Sequence, residues 1–260
     1  MRLRVRDRLV QEVRARDGSG DYLFRCTSAT EVSRARSLFS KEPGTIAWLR
    51  ATLRPSDVFW DVGANIGPYT MVAAGLVGAA GRVVSFEPHP VNFTRLLDNV
   101  RANGFGSTVT CLQVALHDRT GLADFHLFSE EPGSSFSQLD EPRTPDAGAF
   151  DAVLVEKKAA YRADDLIGED ASLEPSVVKI DVDGHELSVL RGMSGLLDRR
   201  AIRSLQVEVN ATERGPVYAL LERHGYALDH LHHTASGQRR LDLGAAPEDV
   251  MHNAVFRPAS

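Results

Sequence analysis

The sequence predicts an α/β fold built on a mostly parallel seven-stranded sheet with a terminal antiparallel strand. The first observation is that short runs rich in β-branched and aromatic residues alternate along the chain with stretches of helical periodicity. The second is that a strand at 57–62 runs directly into a turn containing Gly63 and Gly67 and then into a helix. With 260 residues and 43% hydrophobic content, the chain can bury the core of one such domain.

Local patterns assign the elements in chain order. The strands are rich in Val, Ile, Phe and Trp, as in strands buried on both faces of a sheet. The helices have apolar residues three or four positions apart, and several end near glycine or proline. The predicted strands are 57–62, 82–87, 109–114, 176–181, 203–209, 227–231 and 253–256, of which the last two form an antiparallel pair. The predicted helices are 45–53, 70–77, 90–102, 184–197 and 214–224.

The N-terminal region departs from this alternation. Residues 1–40 are predicted to form an appendage to the main domain of residues 41–260. Within the appendage, two strands at 9–14 and 21–26 flank a turn at 17–20 that contains two glycines.

A second departure is the segment 118–170, which is rich in Gly, Pro, Asp and Ser. We interpret it as a β-rich insertion at the edge of the sheet, with strand-like pieces at 123–128 and 152–155. A loop-rich segment of this length inside a compact domain is usually functional. We therefore predict that it acts as a lid with its tip at 133–137, a mixture of small polar residues and one phenylalanine.

The glycine turn and the next strand together predict a cofactor site. Gly63 and Gly67 let a ligand approach the backbone, and Glu87 ends the following strand, where a carboxylate can bind ribose hydroxyls. The glycines lack the G-x-G-x-x-G spacing of dinucleotide sites, and Asp61 precedes the first of them. This acid would repel a pyrophosphate but suits the ammonium group of S-adenosylmethionine (SAM). The pattern therefore favours SAM over NAD.

Neighbouring residues extend the predicted cofactor site. Asn65 lies where free N–H groups at the start of the next helix can hold the carboxylate of SAM. Tyr69 is predicted to pack over the methionine arm, with cover of the core as the alternative. Thr70 is also predicted to bind the cofactor. The alternative is that its hydroxyl makes only a local contact at the start of the helix. Ala115 follows the third strand, where backbone groups contact the adenine of such cofactors.

Composition argues against several other classes of protein. The net charge of −5 gives no sign of a nucleic-acid surface or a basic membrane patch. Cys26 and Cys111 are far apart, which argues against a disulfide framework and fits a reducing cytoplasm. No run approaches the roughly 20 apolar residues of a membrane helix, and residues 1–8 lack the apolar core of a signal peptide. We expect a cytoplasmic protein with a small-molecule partner, and the oligomeric state stays open, a homodimer included.

Several blocks of the sequence, in order, resemble the FkbM-type SAM-dependent methyltransferases. Segment 61–67 is similar to the family's SAM loop, and segment 86–88 together with Asn92 is similar to its ribose-binding block. The most family-specific block is 178–186, Val-Lys-Ile-Asp-Val-Asp-Gly-His-Glu, and Val-Glu-Val-Asn at 207–210 completes the set.

This resemblance extends over about residues 37–215. It implies a Rossmann-like class I SAM-dependent methyltransferase fold, with Asn92 in the cofactor site. It also implies transfer of a methyl group to a hydroxyl group of a sugar, a glycolipid or a polyketide- or peptide-derived natural product. One departure is Asp183, where the family usually has glutamate, so the charge is kept but its reach is shorter.

Acidic and histidine residues are concentrated after the fourth strand of the sheet. Alignment of the reactants supplies much of the rate of methyl transfer, but a hydroxyl acceptor must also lose a proton to a positioned base. Asp181 and His185 are the predicted catalytic residues, and Asp181 also borders the cofactor. Asp183 and Glu186 have the spacing of a capping box, so we predict structural roles for them.

A divalent metal is an alternative at the same edge of the sheet. Asp181, Glu208 and Asn210 end adjacent strands and carry the oxygen ligands that Mg²⁺ prefers. Acceptor binding or loop bracing is the favoured role for Glu208 and Asn210, so Mg²⁺ is possible but not favoured. Two other functions stay open: N-methylation of a small amine, although the Asn/Asp-Pro-Pro-aromatic motif is absent after strand four, and a non-catalytic SAM-fold binding module.

Overall fold

The structure is a computed structural model that describes residues 10–144 and 148–259. Leu9 of the predicted hairpin, the segment 1–8 and Pro145 of the predicted insertion lie outside the described residues. The strands are β1 (Gln11–Asp17), β2 (Gly20–Cys26), β3 (Val58–Val62), β4 (Arg82–Phe86), β5 (Val109–Leu112), β6 (Ala115–Leu116), β7 (Gly121–Leu127), β8 (Gln138–Leu139), β9 (Arg143–Thr144), β10 (Gly148–Ala149), β11 (Leu154–Tyr161), β12 (Val177–Ile180), β13 (Ser204–Val209), β14 (Tyr226–His232) and β15 (His252–Pro258). The helices are α1 (Ala29–Arg36), α2 (Pro43–Thr52), α3 (Pro68–Val77), α4 (Pro90–Ala102), α5 (Ala163–Glu169), α6 (Glu186–Gly192), α7 (Ser194–Asp198), α8 (Arg214–Arg223) and α9 (Ala235–Asp242).

The central sheet has the strand order β14-β15-β13-β12-β3-β4-β5. All neighbours from β13 to β5 are parallel, whereas β15 is antiparallel to both β13 and β14. The predicted α/β fold with a mostly parallel seven-stranded sheet and an antiparallel end is therefore confirmed. The chain runs outward from β3 in one direction and later returns to β12 on the other side. This reversal creates a crevice beyond the carboxyl ends of β3 and β12, where α/β sheets bind ligands.

Helices cover both faces of the sheet, and an apolar core lies on each face. Neighbouring residues of a strand point to opposite faces, so Trp60 joins the core that contains α6, α7 and α8, whereas Phe59 joins the other. Trp60 also packs edge-on against Phe86 from the next strand, with ring centroids 4.9 Å apart. The central strands are thus fixed from both sides, and their carboxyl ends form a firm base for a site.

The N-terminal hairpin of β1 and β2 packs on the second core, where Phe24 and Cys26 are fully buried. The side chains of Asn99 on α4 and of Asn103, which directly follows α4, satisfy the backbone of β2. Asn103 Oδ1 accepts a hydrogen bond from the N–H of Leu23 at 2.8 Å, and its Nδ2 donates to the Leu23 carbonyl at 2.7 Å. The predicted hairpin is confirmed, and it is joined to the domain by both apolar and polar contacts.

The insertion forms a second sheet of four strands in the order β6-β11-β7-β8. Strands β7 and β11 pair in antiparallel fashion over most of their length, and Phe125, Leu127 and Leu139 are buried on one face. The chain between β7 and β8, residues 128–137, returns toward the glycine turn of the main sheet. We call residues 128–137 the lid loop.

The predicted single helix at 184–197 is wrong. It is two helices, α6 and α7, that are separated at Met193. Gly192 lies so close to the backbone of His117 that an added Cβ atom would be 1.9 Å from the carbonyl oxygen. This close approach joins the end of α6 to the residue that follows β6, a contact between distant elements that helical periodicity alone does not describe.

The predicted capping role of Asp183 is also wrong. Asp183 has a left-handed backbone conformation with φ 55°, and the residue that precedes α6 is His185. Glu186 does have the predicted structural role, since its carboxylate accepts hydrogen bonds from the N–H groups of Val182 at 2.9 Å and Gly184 at 3.0 Å. Within the described part of the chain, no helix has the length and apolar character needed to cross a membrane.

Candidate active site

The glycine turn brings the ends of three strands together. Gly63 has φ 81°, and a Cβ atom at this position would lie 1.8 Å from the carbonyl oxygen of Asp181. The N–H groups of Gly63 and Ala64 both donate to the carbonyl of Phe86 at 3.0 Å. Gly67 has φ 88° and precedes α3, where an added Cβ would clash with Leu96. Only glycine permits this close packing of β3, β4 and β12 at the crevice.

Glu87 lies at the bottom of the crevice, directly after β4. Its side chain is buried and accepts hydrogen bonds from the N–H of Asn65 at 2.7 Å and from the N–H of His89 at 2.8 Å. Burial raises the pKa of Glu87 to about 7, although these two N–H groups favour the ionised form. Each carboxylate oxygen keeps a lone pair, so Glu87 can accept further hydrogen bonds from hydroxyl groups of a ligand.

Two small hollows flank this carboxylate. One has a volume of about 70 Å³ and is bordered by Gly63, Asn65, Glu87 and Asp181. The other, of about 40 Å³, is apolar and is formed largely by Val62, Phe86, Val114, Ala115, Leu116 and Phe125. An apolar hollow beside a buried carboxylate has the chemistry that an adenosine moiety requires, because its base is flat and apolar and its ribose carries hydroxyls.

The lid loop lies over these hollows. The carbonyl of Ser134 accepts hydrogen bonds from Nδ2 of Asn65 and Nδ2 of Asn92, both at 3.0 Å. Asn92 Oδ1 also accepts from the N–H of Gly133 at 2.8 Å. Two predicted cofactor residues therefore hold the loop in this structure. The hollows beneath it, of about 40 and 70 Å³, are far smaller than the about 300–1,000 Å³ of ordinary small-molecule sites.

Helix α1 and Asp183 hold the other side of the lid loop. Arg34 donates from Nε to the carbonyl of Gly133 and from Nη2 to the Ser135 hydroxyl, both at 2.6 Å. The carboxylate of Asp183 accepts from the N–H of Phe136 at 2.9 Å. The loop tip is thus bound, mostly through its backbone, by side chains from four separate segments: the glycine turn, α4, α1 and the residues after β12.

Asp61 and Thr70, both predicted in the cofactor site, are fully buried beneath it. The Thr70 hydroxyl donates to Asp61 Oδ2 at 2.6 Å, and Lys179 Nζ lies 3.5 Å from Asp61 Oδ1. Lys179 also lies over the ring of Tyr69, 5.1 Å from its centroid. These residues lie beneath the crevice. Their side chains contact one another and do not line either of the two hollows.

Asp181 follows β12 and is bound by Lys179, whose Nζ lies 3.1 Å from its Oδ2. Burial alone would raise the pKa of Asp181, but the positive charges of Lys179 and Lys41 outweigh it and hold that pKa below its usual range. The neighbouring Asp183 lacks such an ion pair, and burial together with the charge of Asp181 raises its pKa. Asp181 is therefore the ionised carboxylate at this edge of the sheet.

A larger cavity of about 390 Å³ adjoins the hollows on the far side of Asp181. We call it the acceptor cavity. Its lining is polar apart from Phe136 and Met251, which are the only large apolar side chains among the described residues that line it. The charged and amide residues of its lining are Arg34, Lys41, Asp181, Asp183, Glu208 and Asn210. Asp181 borders both this cavity and the hollow beside Glu87, so it lies where the two spaces meet.

His185 faces the other way. It lines the apolar hollow rather than the acceptor cavity, and its ring lies 5.8 Å from the ring of His117. Burial and the neighbouring His117 lower the pKa of His185 to about 4, so the ring is neutral at ordinary pH. His185 also borders an open cavity of about 540 Å³ together with His117 and Ser188, so Asp181 and His185 line different spaces, and their joint catalytic role stays a prediction.

The described residues contain no group of three or more His, Cys, Asp or Glu side chains that could hold a metal ion. Asp181 and Glu208 both border the acceptor cavity, together with the amide of Asn210. The Oδ1 atom of Asn210 is occupied, since it accepts hydrogen bonds from the N–H groups of Thr212 at 3.0 Å and Glu213 at 2.9 Å.

Comparison with known proteins agrees with this geometry. The model of the methyltransferase FkbM domain matches residues 61–228. The chain belongs to the FkbM family of SAM-dependent methyltransferases. It is 32% identical over 192 residues to the hexuronic acid methyltransferase AglP of Haloferax volcanii, covering 72% of this chain and 70% of that protein. It is 30% identical over 198 residues to the 31-O-demethyl-FK506 methyltransferase FkbM of Streptomyces tacrolimicus, covering 68% of this chain and 75% of that protein.

A solved structure shares the fold. The crystal structure of a putative rRNA methylase from Clostridium thermocellum superposes with a TM-score of 0.53 at 10% identity and covers 85% of this chain and 97% of that one. At this identity the likeness describes the fold of the FkbM chain and nothing of its substrate.

Part of the FkbM site lies outside the segment that matches the family model. Arg34 and Lys41 precede it and Met251 follows it, yet all three line the acceptor cavity. Sequence analysis missed Arg34 and Lys41 because only the fold brings α1 to the end of β12. Lys179 was missed as well, although a lysine inside the buried strand Val-Val-Lys-Ile is a signal that an acidic partner is close.

Proposed function

We propose that this FkbM-family chain transfers a methyl group from SAM to a hydroxyl group of a polar small molecule. The observation that carries the proposal is the position of Asp181, which borders both the hollow beside Glu87 and the acceptor cavity. A methyl transferase needs donor and acceptor to meet at one point, and an ionised carboxylate favours positive charge there.

The residues around the two hollows fit SAM. We assign the ribose hydroxyls to Glu87, the adenine to the apolar hollow that contains Ala115, and the methionine part to the glycine turn at Gly63 and Gly67. Asn65 and Asn92 lie at the rim, where they are free to bind once the lid loop releases them. When bound, SAM supplies an activated methyl group on a positively charged sulfur.

The buried cluster beneath the crevice has a supporting role in this proposal. Asp61 accepts a hydrogen bond from Thr70 and is paired with Lys179, and Tyr69 packs against that lysine. We propose that Asp61 acts on SAM through its negative charge and through Lys179, which holds Asp181 in place. Direct contact between the Asp61 carboxylate and the ammonium group of SAM would need a local rearrangement, because the side chain is fully buried.

The polar lining of the acceptor cavity supports a hydroxylated acceptor such as a sugar. Carboxylates, an amide and two cations can all bind hydroxyl groups, and the exposed ring of Phe136 offers a flat apolar surface of the kind that packs on a sugar face. One relative is named a hexuronic acid methyltransferase, a name that fits an acceptor of this kind, and another is named a 31-O-demethyl-FK506 methyltransferase. A large apolar acceptor fits this cavity less well.

We propose further that the N-terminal appendage of residues 1–40 and the tail shape acceptor choice, whereas the domain of residues 41–260 supplies the cofactor site. Arg34 comes from α1 in the appendage, and Met251 comes from the segment before β15. Insertion residues 133–136 complete the cavity wall.

The test is methyl transfer from labelled SAM to a panel of acceptors, with neutral sugars, uronic acids, macrolide alcohols and small amines in separate reactions. Formation of S-adenosylhomocysteine (SAH) together with label in a methyl ether supports the proposal. Label transferred to amines alone would replace it with N-methylation. Firm SAM binding without transfer to any member of the panel would favour a binding module.

A further inference from the structure

We propose that Glu208 is the general base that takes the proton from the acceptor hydroxyl. This inference rests on the proposed O-methyl transfer and adds a catalytic residue that neither the sequence patterns nor the relatives assign. It concerns the carboxyl group at the end of β13, next to Asp181 in the acceptor cavity.

The strand register places Glu208 beside Asp181. Parallel pairing aligns Lys179 with Gln206 and Ile180 with Val207, so the next residues of the two strands are Asp181 and Glu208. Asp181 is two positions after Lys179, and Glu208 is two positions after Gln206. Because side chains two residues apart lie on the same face of a strand, both carboxyl groups emerge on one face, and both line the acceptor cavity.

Glu208 differs from its acidic neighbours in being unengaged. Among the described residues, no hydrogen-bond donor or cation is within bonding distance of its carboxyl group, and no ion pair includes it. Asp181 is bound by Lys179 at 3.1 Å, and Asp183 accepts from the N–H of Phe136 at 2.9 Å. A carboxyl group that faces a polar cavity without a protein partner is free to bind a ligand hydroxyl.

The third acidic neighbour, Glu186, is also engaged, because its carboxylate accepts from the backbone N–H groups of Val182 and Gly184. Its two contacts stabilise the turn before α6, and Glu186 does not line the acceptor cavity. Among these four acidic residues, Glu208 is therefore the one whose carboxyl group has no protein partner within residues 10–144 and 148–259, and it is half-buried at the cavity wall.

The surroundings of Glu208 favour proton uptake. Burial raises the pKa of Glu208 well above its usual range, and nearby negative charge raises it further. The facing acids are Asp181 and Asp183 after β12, Glu186 on α6 and Glu42 before α2. The cations of this region, Lys179, Lys41 and Arg34, act on Asp181 instead and keep that carboxylate ionised. The pKa values of the two adjacent carboxyl groups are thus shifted in opposite directions. Such a difference lets neighbouring acids take different roles in catalysis.

The proposed step balances. The acceptor oxygen forms a bond to the methyl carbon as the bond between that carbon and the sulfur breaks, the sulfur keeps the electron pair and becomes a neutral thioether, and the hydroxyl proton moves to the Glu208 carboxylate. Water then removes this proton after product release. Asp181 stays ionised throughout and orients the acceptor hydroxyl.

Competing bases are less suited. The low pKa of Asp181 makes its carboxylate a weak base, and Lys179 already occupies one of its oxygens. His185 lines the apolar hollow on the other side of the crevice and does not border the acceptor cavity.

Infrared difference spectroscopy tests the assignment without any acceptor. As the pH of the wild-type protein is lowered, we expect a protonated-carboxyl C=O band that appears above the usual titration range of glutamate and that is missing in Glu208→Gln. Glu222→Gln is the matched control, because Glu222 is exposed on α8. A Glu208→Gln spectrum identical to that of wild type in this region would overturn the inference.

Turnover provides the second measurement, with the acceptor identified in the transfer panel. Glu208→Gln is expected to lower kcat by about 10²–10⁴, the usual contribution of a general base, while the Kd for SAM stays within twofold and circular dichroism shows a folded protein. Glu208→Asp is expected to retain part of the activity, with a shifted pH profile. Turnover within tenfold of wild type, or turnover that requires added Mg²⁺ and is abolished by EDTA, would overturn the role as base. Failure of the wild type to transfer a methyl group would instead refute the proposed function, and the infrared band would still decide the state of Glu208.

Discussion

Lys179 and Asp181 form a buried ion pair at the end of β12, with Nζ 3.1 Å from Oδ2. Lys179 is 1% exposed, and the same ammonium group lies 3.5 Å from the fully buried carboxylate of Asp61. One cation therefore pairs with two strand-end acids: Asp61, buried beneath the crevice, and Asp181, which borders both the hollow beside Glu87 and the acceptor cavity. This pair links the stability of the fold to the charge of the active site.

Replacing Lys179 by methionine is expected to destabilise the protein strongly. Removal of one partner of a buried ion pair typically costs about 3–5 kcal/mol, because a buried charge is left uncompensated. Urea unfolding at pH 7 measures the change. Lys157→Met is the control: Lys157 pairs with Asp124 at the surface, with side chains 62% and 46% exposed, so a change of about 0–1 kcal/mol is expected. Equal effects of the two substitutions would contradict the buried pair.

The stability difference between wild type and Lys179→Met should depend on pH. The pKa of Asp181 is held low in the folded state, so its contribution to stability is present above the unfolded pKa of about 4 and is lost as pH falls through the folded pKa. The free energies of unfolding of the two proteins should therefore converge as the pH falls below about 4. A constant difference over that range would show that lost packing, rather than lost charge, explains the effect.

SAM affinity is expected to depend on Glu87. Glu87→Ala removes the predicted acceptor of the ribose hydroxyls and also leaves the N–H groups of Asn65 and His89 without their partner. We expect a loss of about 1–3 kcal/mol in binding, measured by calorimetry. Glu174→Ala, a surface substitution on a residue paired with Arg199, is the control. Unchanged affinity in Glu87→Ala would move the ribose site elsewhere.

The same residue predicts a pH dependence of binding. Burial raises the pKa of Glu87 to about 7, so the carboxylate becomes protonated as pH falls through this value. Affinity for SAM should therefore rise between about pH 6 and pH 8 in the wild type, whereas Glu87→Ala should lose this rise. An identical pH profile in both proteins would mean that another group titrates.

His185→Ala is expected to weaken SAM binding rather than the chemical step. His185 lines the apolar hollow assigned to adenine, and loss of an aromatic contact with a base costs about 1–3 kcal/mol. The Kd for SAM and kcat are measured separately, with His230→Ala as an exposed control. A large fall in kcat at unchanged SAM affinity would restore His185 as the base that the sequence predicts.

The lid loop is expected to open for cofactor binding and to close again over bound ligand. Chymotrypsin reports this motion, because Phe128 and Phe136 are 40% and 44% exposed in the loop. Arg34→Ala removes two hydrogen bonds from a charged group to the loop, each worth about 1.5–3 kcal/mol, and should raise cleavage there at least about tenfold. Arg36→Ala on the same helix is the matched control. SAH should protect the wild-type loop, and equal cleavage at 128–137 with and without SAH would refute the lid.

Much of the fold could be predicted from local patterns. The buried strand followed by a glycine turn identified β3 and α3, and Glu87 could be assigned because its distance from the turn reflects one βαβ unit. Features set by contacts between distant elements could not be predicted in this way. The break at Met193 follows the close contact of Gly192 with His117 and Arg162, and the left-handed Asp183 accepts a hydrogen bond from Phe136 of the insertion.

In the candidate site, too, local patterns predicted some features, whereas contacts between distant elements set the others. The acids after β12 and β13 could be found because strands of a parallel sheet end at the same edge. Which of them is ionised could not be found, since that depends on Lys179 and on Arg34 and Lys41 from the N-terminal region. The orientation of His185 likewise follows from the exact start of α6, and element boundaries are the least certain part of a sequence pattern.

The most direct test of the account is calorimetric titration of the purified protein with SAM and, separately, with NAD. The account predicts one SAM molecule per chain, binding that competes with SAH, and no detectable heat with NAD. Binding of NAD, or absence of SAM binding by a folded protein, would contradict the assignment of the crevice at Gly63, Glu87 and Asp181 to SAM.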